Sequence, residues 1–233
     1  MTPDLLVSLG SEFLAYGLCI LYMYAGHRRY GLRVPLLFLV GSLYWTLTLE
    51  NVGVLLEFFS YTSPNSNPGP FYLVWAGLAP LWISIGWFDI TFPAFMLLDN
   101  ILPKANIWTK AVIGGVFAIS FDLVIDPAAT AAGLWRWTHP SLYFLGVPIT
   151  NYIGWFMVAT FYLAVYQSVH MKAKFSALIS TKPYSITPEP SINIQPKTIP
   201  MLITRLMIFQ LAYLAIYVPI LYTIASIGVI PGG

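Results

Sequence analysis

The sequence predicts an all-α integral membrane protein, a polytopic bundle of about six transmembrane helices. Of its 233 residues, 58% are hydrophobic and only 9% are charged, whereas soluble domains carry about 25% charged residues. The mean hydropathy is +0.74, and the apolar residues gather into runs long enough to cross about 30 Å of hydrocarbon. We expect residues 1–233 to form a single membrane domain.

Six apolar runs account for the predicted helices. They lie at 4–26, 34–59, 72–98, 108–126, 148–170 and 199–228. The N-terminus, M-T-P-D-L-L, lacks the basic flank of a cleaved signal peptide, so the first run is expected to be a retained span. The only long polar connection is 171–198, which we expect to be a cytoplasmic loop without a domain of its own.

The basic residues predict the orientation of the chain. The loops after the first, third and fifth runs hold nine of the eleven Lys and Arg residues, and the opposite loops hold only Arg136. Loops rich in Lys and Arg remain cytoplasmic, so we expect a multi-pass cell-membrane protein with both termini extracytoplasmic. Because these charges are spread over separate loops, they form no basic patch, and a nucleic-acid partner is not expected.

Polar residues inside the apolar runs gather at one predicted depth, in the extracytoplasmic half. Asp122 and Asp126 are four residues apart, so their side chains stack on one helical face. Asp89 is expected to lie deeper. The residues at the common level are Glu12, Glu50, Asn51, Glu57, Asp122, Asp126 and Asn151, with Trp155 one turn below.

Glu50 and Asp122 are the strongest candidates for chemistry. A carboxyl group in hydrocarbon is costly, and no Lys or Arg lies at their depth to neutralise them. Burial without a cation favours the neutral acid, which can donate a proton. Glu57 is near the interface and is expected to be solvated, whereas Glu12 could pair with another helix.

Other polar residues have structural alternatives. Asp126 precedes Pro127, and this pair suits an N-cap followed by the first residue of a helix. Asn151 could likewise cap the fifth span. In W-R-W at 135–137, the tryptophans could be interfacial aromatics and the arginine a surface charge.

The sequence argues against several other kinds of chemistry. Its three histidines are scattered without metal-ligand spacing, so no metal is expected and oxygen activation is disfavoured. It contains no D-D-x-x-D, G-x-G-x-x-G or P-loop pattern, so no cofactor is expected. Acid and base chemistry remains, and aromatic residues, 16% of the chain, could stabilise a cation by on the order of 2 kcal/mol.

Four motifs carry a resemblance to a known family. They are E-N-V-G-V at 50–54, F-D-L-V-I-D-P at 121–127, G-L-W-R-W at 133–137 and G-V-P-I-T-N-Y-I-G-W-F at 146–156. Together they resemble the membrane carotenoid-biosynthesis family, which includes γ-carotene 1′-hydroxylase and bisanhydrobacterioruberin hydratase. Relatives in that family act on other isoprenoid chains, including the geranylgeranyl chains of archaeal ether lipids.

The resemblance implies that water is added across a terminal isoprenoid double bond, giving a tertiary alcohol without oxygen or a redox cofactor. The family's motif positions correspond here to Glu50, Asp122, Asp126, Asn151 and Trp155. The chain departs from the family at 55–61, where the bulky L-L-E-F-F-S-Y replaces a glycine-richer stretch. This bulk is expected to narrow the pocket for a rigid polyene or to favour a flexible prenyl chain.

We therefore expect a hydratase that takes an isoprenoid or lipid substrate from the bilayer. Asp122 by preference, with Glu50 second, would protonate the alkene, and Asp126 or Glu50 would deprotonate a water held by Asn151. A cyclase or isomerase using the same protonation is one alternative, and a non-catalytic proton-coupled carrier is another. The expected substrate or water contacts are Asn51, Trp135, Arg136, Trp137, Asn151 and Trp155.

The orientation is testable by cysteine labelling in a Cys19→Ala background. A cysteine introduced near the N-terminus or in the 127–147 connection should react with an impermeant reagent added to intact cells, because the basic loops lie on the other side. A cysteine in 171–198 should react only after the cells are permeabilised. Labelling of that loop from outside would reverse the orientation.

Overall fold

The structure, a computed structural model, describes residues 3–62 and 74–179, and beyond them only Ile208 and Ala215. Most of the described residues belong to five helices. They are α1 (Pro3–Tyr30), α2 (Arg33–Leu55), α3 (Leu81–Ile101), α4 (Ile107–Ala131) and α5 (Ile149–Ile179). The predicted sixth span, 199–228, lies outside the described residues apart from those two positions.

Four of the described helices are long and apolar enough to cross a membrane. They are α2, α3, α4 and the Ile149–Val169 part of α5. The described part of the chain is thus mostly helical with four candidate membrane spans, but the predicted count of six spans is not confirmed.

Short β-ribbons make the all-α prediction incomplete. The strand β1 (Phe59–Tyr61) pairs with β4 (Trp135–Trp137), β2 (Trp75–Ala76) with β3 (Ala79–Pro80), and β5 (Tyr143–Phe144) with β6 (Val147–Pro148), all antiparallel. The β2–β3 ribbon and Phe59 of β1 occupy residues that we had assigned to spans, because α2 ends at Leu55 rather than 59 and α3 begins at Leu81 rather than 72. We call this end of the bundle the ribbon end.

The prediction that Asp126 caps a helix is wrong. Pro127 lies inside α4, which continues to Ala131, although a proline there removes one helical hydrogen bond. The helix ends instead at Gly133, where φ is +69°. The N–H groups of Gly133 and Leu134 bond back to the carbonyls of Thr130 and Ala129, the arrangement of a Schellman C-cap.

Two predictions about the opposite end of the bundle also need correction. The helix α5 extends to Ile179, so the first part of the predicted 171–198 loop is helical. Lys110, which we had counted as a loop residue, belongs to α4 and is buried. Its Nζ lies 3.4 Å from Asp99 Oδ1, and this ion pair neutralises a lysine that would be costly to bury alone.

An aromatic core fills the space between α2, α3 and α5. Phe38 of α2 has no exposed surface, and its ring centroid lies 5.0 Å from those of both Phe92 and Tyr162. The hydroxyl of Tyr162 donates to the Phe38 carbonyl at 2.5 Å, so the phenol is satisfied without water. Trp45 and Phe88 are also fully buried, so the space between these three helices is tightly packed.

Two glycines allow α4 and α5 to approach closely. A Cβ on Gly114 would lie 2.2 Å from Leu163 Cδ1, and one on Gly115 would lie 2.1 Å from Thr160 Oγ1. Both distances are far below van der Waals contact, so any larger residue would force the neighbouring side chains to move. Small residues promote close helix packing in membranes, and here they bring Asp122 and Asp126 of α4 up to the first turn of α5.

Replacing Gly115 should loosen this interface. Gly115→Leu is expected to destabilise the protein by on the order of 1–3 kcal/mol, the usual cost of overpacking, because the new Cβ would also meet the Phe156 backbone oxygen at 3.0 Å. Gly10→Leu is the matched control, since nothing lies within 4 Å of its Cβ position. Thermal unfolding in detergent measures both, and equal melting temperatures would contradict the close approach.

Candidate active site

A cavity of about 180 Å³ lies between α2, α3, α4 and α5 at the ribbon end. Its walls combine apolar and aromatic side chains with a few polar ones, as is typical of small-molecule sites. Two of the lining residues are carboxylic acids, Glu50 and Asp126. The aromatic residues that line it are Phe58, Phe59, Tyr61, Trp82, Trp87, Trp135, Trp137 and Trp155.

Asn151 joins the two aspartates of α4. Its Nδ2 lies 3.2 Å from Asp122 Oδ2 and 2.5 Å from Asp126 Oδ2, and the two carboxyl groups are close enough to interact with each other. The indole of Trp155 is also close enough to Asp126 to interact with it. The stacking of Asp122 and Asp126 on one face is therefore observed, and Asn151 directs its amide towards α4 rather than capping α5.

Only one aspartate of this pair faces the cavity. Asp126 is 3% exposed and lines the cavity, whereas Asp122 has no exposed surface and is not among the lining residues. Asp122, our first choice for the proton donor, therefore has no direct access to a bound molecule. It reaches the cavity only through its contacts with Asp126 and Asn151.

Glu50 is held in the cavity wall by two donors. The Tyr61 hydroxyl lies 2.6 Å from Glu50 Oε2, and the Trp87 indole nitrogen lies 3.2 Å from Oε1. Each carboxyl oxygen thus accepts one hydrogen bond, and the two donors favour the charged form, which offsets part of the cost of burying it. Glu50 is also close enough to Asp126 for their charges to interact.

The ribbon β1–β4 places the side chains of W-R-W, residues 135–137, on two different faces. Successive side chains of a strand point to opposite faces, and accordingly Trp135 and Trp137 line the cavity while Arg136 is exposed. Arg136 pairs in register with Ser60, and Tyr61 with Trp135. The ribbon therefore holds Tyr61 above Glu50, and Arg136 does not take part in the site.

Several other acids and amides predicted at this level lie elsewhere. Asn51 binds the β2–β3 ribbon, because its Nδ2 donates to the Ala76 carbonyl at 3.0 Å and its Oδ1 accepts from Leu78 N at 2.6 Å. Glu12 accepts from the Tyr16 hydroxyl at 2.7 Å. Glu57 is exposed. None of these residues lines the cavity.

Sequence reasoning missed two residues that hold Glu50, namely Tyr61 and Trp87. A signal existed for Trp87: Ile83, Gly86, Trp87 and Ile90, which all line the cavity, follow the spacing of one helical face. Tyr61 gave no such signal, because its position depends on a ribbon whose strands are more than seventy residues apart. Trp87 also stacks on Trp155, with centroids 4.2 Å apart.

These features define a class of protein, a helical protein with candidate membrane spans and two carboxyl groups lining an aromatic cavity. The family model described as carotenoid biosynthesis protein matches residues 10–230, so the chain belongs to the carotenoid biosynthesis protein family. This confirms the family suggested by the motifs. Among the described residues, no group of three His, Cys, Asp or Glu side chains could hold a metal ion.

One curated relative of this chain has a name that gives an enzymatic activity. The chain is 31% identical over 93 residues to bisanhydrobacterioruberin hydratase of Haloarcula japonica, a match that covers 38% of this chain and 29% of the relative. The chain thus matches less than a third of that relative's length. No solved structure matches the chain. Family and relative together support a carotenoid-modifying enzyme.

Proposed function

We propose that this protein is a cofactor-independent isoprenoid hydratase, of hydro-lyase type, acting on a carotenoid end group or a prenyl lipid chain. The observation that carries the proposal is the placement of Glu50 and Asp126 on one aromatic-lined cavity. Hydration of an alkene needs an acid, a base, a water and a wall that tolerates positive charge. The matched relative is named as a hydratase, which agrees with this reading.

The hydrogen bonds suggest how the carboxyl groups divide their roles. Asp122 and Asp126 share the Asn151 amide and lie close enough to interact, and two neighbouring carboxyl groups avoid carrying two charges by retaining a proton. Glu50 accepts from Tyr61 and Trp87 instead. We therefore assign the acid to the aspartate pair, acting through Asp126, and the base to Glu50.

The reaction then proceeds in two steps. Asp126 gives its proton to the less substituted alkene carbon, leaving a tertiary cation that faces the tryptophan rings. Water attacks the cation while Glu50 accepts one of the water protons, so alkene and water become one alcohol. The proton on Glu50 returns to the aspartate pair, which is close enough to interact with it.

The source of the hydroxyl oxygen tests the reaction class. The purified protein, kept anaerobic with a chelator, should convert an acyclic isoprenoid, lycopene or a geranylgeranyl lipid, into a product heavier by one water. The oxygen should come from heavy-oxygen water. Mass spectrometry of the extract measures both. A requirement for oxygen or a reductant would refute the proposal, and a product of unchanged mass would instead indicate a cyclase or isomerase.

Three amide substitutions test the assignment of roles. Asp126→Asn and Glu50→Gln should each lower turnover by ~10² to 10⁴, the usual contribution of general acid or base catalysis. Asp122→Asn should cost less, because Asp126 keeps its access to the cavity. The measurement is initial rate at matched expression, with melting temperature reporting on folding.

Asp89→Asn is the matched control for these variants. Asp89 is a buried carboxylic acid on α3, 8% exposed, and it does not line the cavity. Its replacement should leave turnover close to that of the wild type. Wild-type turnover in Asp126→Asn would remove the acid from the mechanism, and a large loss in Asp89→Asn would show that any buried acid matters equally.

A further inference from the structure

The cavity has a closed end that faces the aromatic core. Thr46, Ile90 and Val158 line this end and are all at most 8% exposed. Below them lie Trp45 and Phe88, which have no exposed surface, and Tyr162, which is 2% exposed. A bound chain therefore cannot continue past this floor into the bundle.

The opposite end of the cavity is open. Leu56, which lines it, is 41% exposed, and Phe58 and His139 beside it are partly exposed. These residues include part of the bulky 55–61 segment that distinguishes this chain by sequence. A molecule longer than the cavity must leave through this mouth, so the segment of it that reaches the carboxyl groups is an end.

The volume of the cavity limits how much of a bound isoprenoid chain can enter it. The cavity measures about 180 Å³, and an apolar cavity of ~150 Å³ takes up benzene, a six-carbon molecule. The space therefore holds on the order of one five-carbon isoprene unit. Glu50 lies one helical turn, about 6 Å, nearer the mouth than Thr46, so a unit resting on the floor presents its double bond near the carboxyl level.

Gly86 leaves the cavity wide at the level of the carboxyl groups. It lines the cavity beside Trp87, whose indole holds Glu50. No heavy atom lies within 4 Å of the position where a Cβ would stand, so the space in front of Gly86 is open. This glycine is not required for helix packing, in contrast to Gly114 and Gly115.

We propose that Gly86 is the specificity-determining residue of this cavity, setting the width that the branched end of an acyclic isoprenoid chain requires at the closed end. The inference rests on the proposed function for its choice of ligand, and it names the subsite and the residue that controls it. A side chain at position 86 would fill the space in which the two methyl groups of the chain end lie.

Binding of two pigments tests the subsite independently of turnover. The full-length protein in lipid nanodiscs is loaded with lycopene, whose ends are acyclic and branched, or with β-carotene, whose ends are rings, and the retained pigment is measured by absorbance after washing. The wild type should retain lycopene at least about tenfold better than β-carotene. Gly86→Leu should lose lycopene by about tenfold or more, the scale on which added methylenes are rejected by a fitted pocket.

Two further variants make the result decisive. Gly86→Ala adds one methyl group, improves helix propensity and should give a smaller loss of lycopene without a lower melting temperature. Gly17→Leu places the same leucine on an exposed glycine of α1 that has nothing within 4 Å, and it should retain lycopene as the wild type does.

The outcomes separate the subsite from the proposed reaction. Selective retention of lycopene that Gly86→Leu abolishes would support the subsite even where no hydrated product forms, in which case only the hydratase proposal fails. Wild-type retention by Gly86→Leu, or equal retention of the two pigments by the wild type, would overturn the subsite. Hydration that continues unchanged in Gly86→Leu would overturn it as well.

Discussion

The contact of Asn151 with two aspartates is the interaction on which the rest of the site depends. Carboxyl groups inside an apolar bundle need polar partners, because hydrocarbon offers none. Asn151 supplies one amide to both Asp122 and Asp126, where Gly114 and Gly115 further along α4 let it pack closely against α5. The same contact joins α4 to α5 beside the cavity that Asp126 lines.

The ribbon β1–β4 completes the site from outside the helical bundle. It links the chain after α2 to the chain after α4, so the residues following each acid-bearing helix are held together. Its alternation sends two tryptophans into the cavity and Arg136 away from it. This separation keeps a cation away from Asp126, where it would stabilise the charged carboxylate and reduce its ability to donate a proton.

Sequence patterns predicted part of the arrangement of this site, and other parts of the prediction were wrong. Helical spacing and predicted depth were sufficient to bring Glu50, Asp122, Asp126 and Asn151 into one region. The N-cap expected at Asp126 followed a local rule for proline, but packing against α5 carries α4 past it. The ribbons place Asn51, Tyr61 and Arg136, and ribbons formed by distant segments leave no periodic signal in sequence. Only a three-dimensional structure could distinguish those residues.

The dimensions of the cavity also bear on the choice between hydration and cyclisation. Both reactions begin with the same protonation, but ring closure requires the chain to fold back so that a second double bond meets the cation. That fold needs at least two isoprene units side by side, whereas about 180 Å³ holds on the order of one. A water molecule needs far less room than a second isoprene unit. The tertiary cation would therefore meet water before it could meet another part of its own chain, which supports the hydratase over the cyclase.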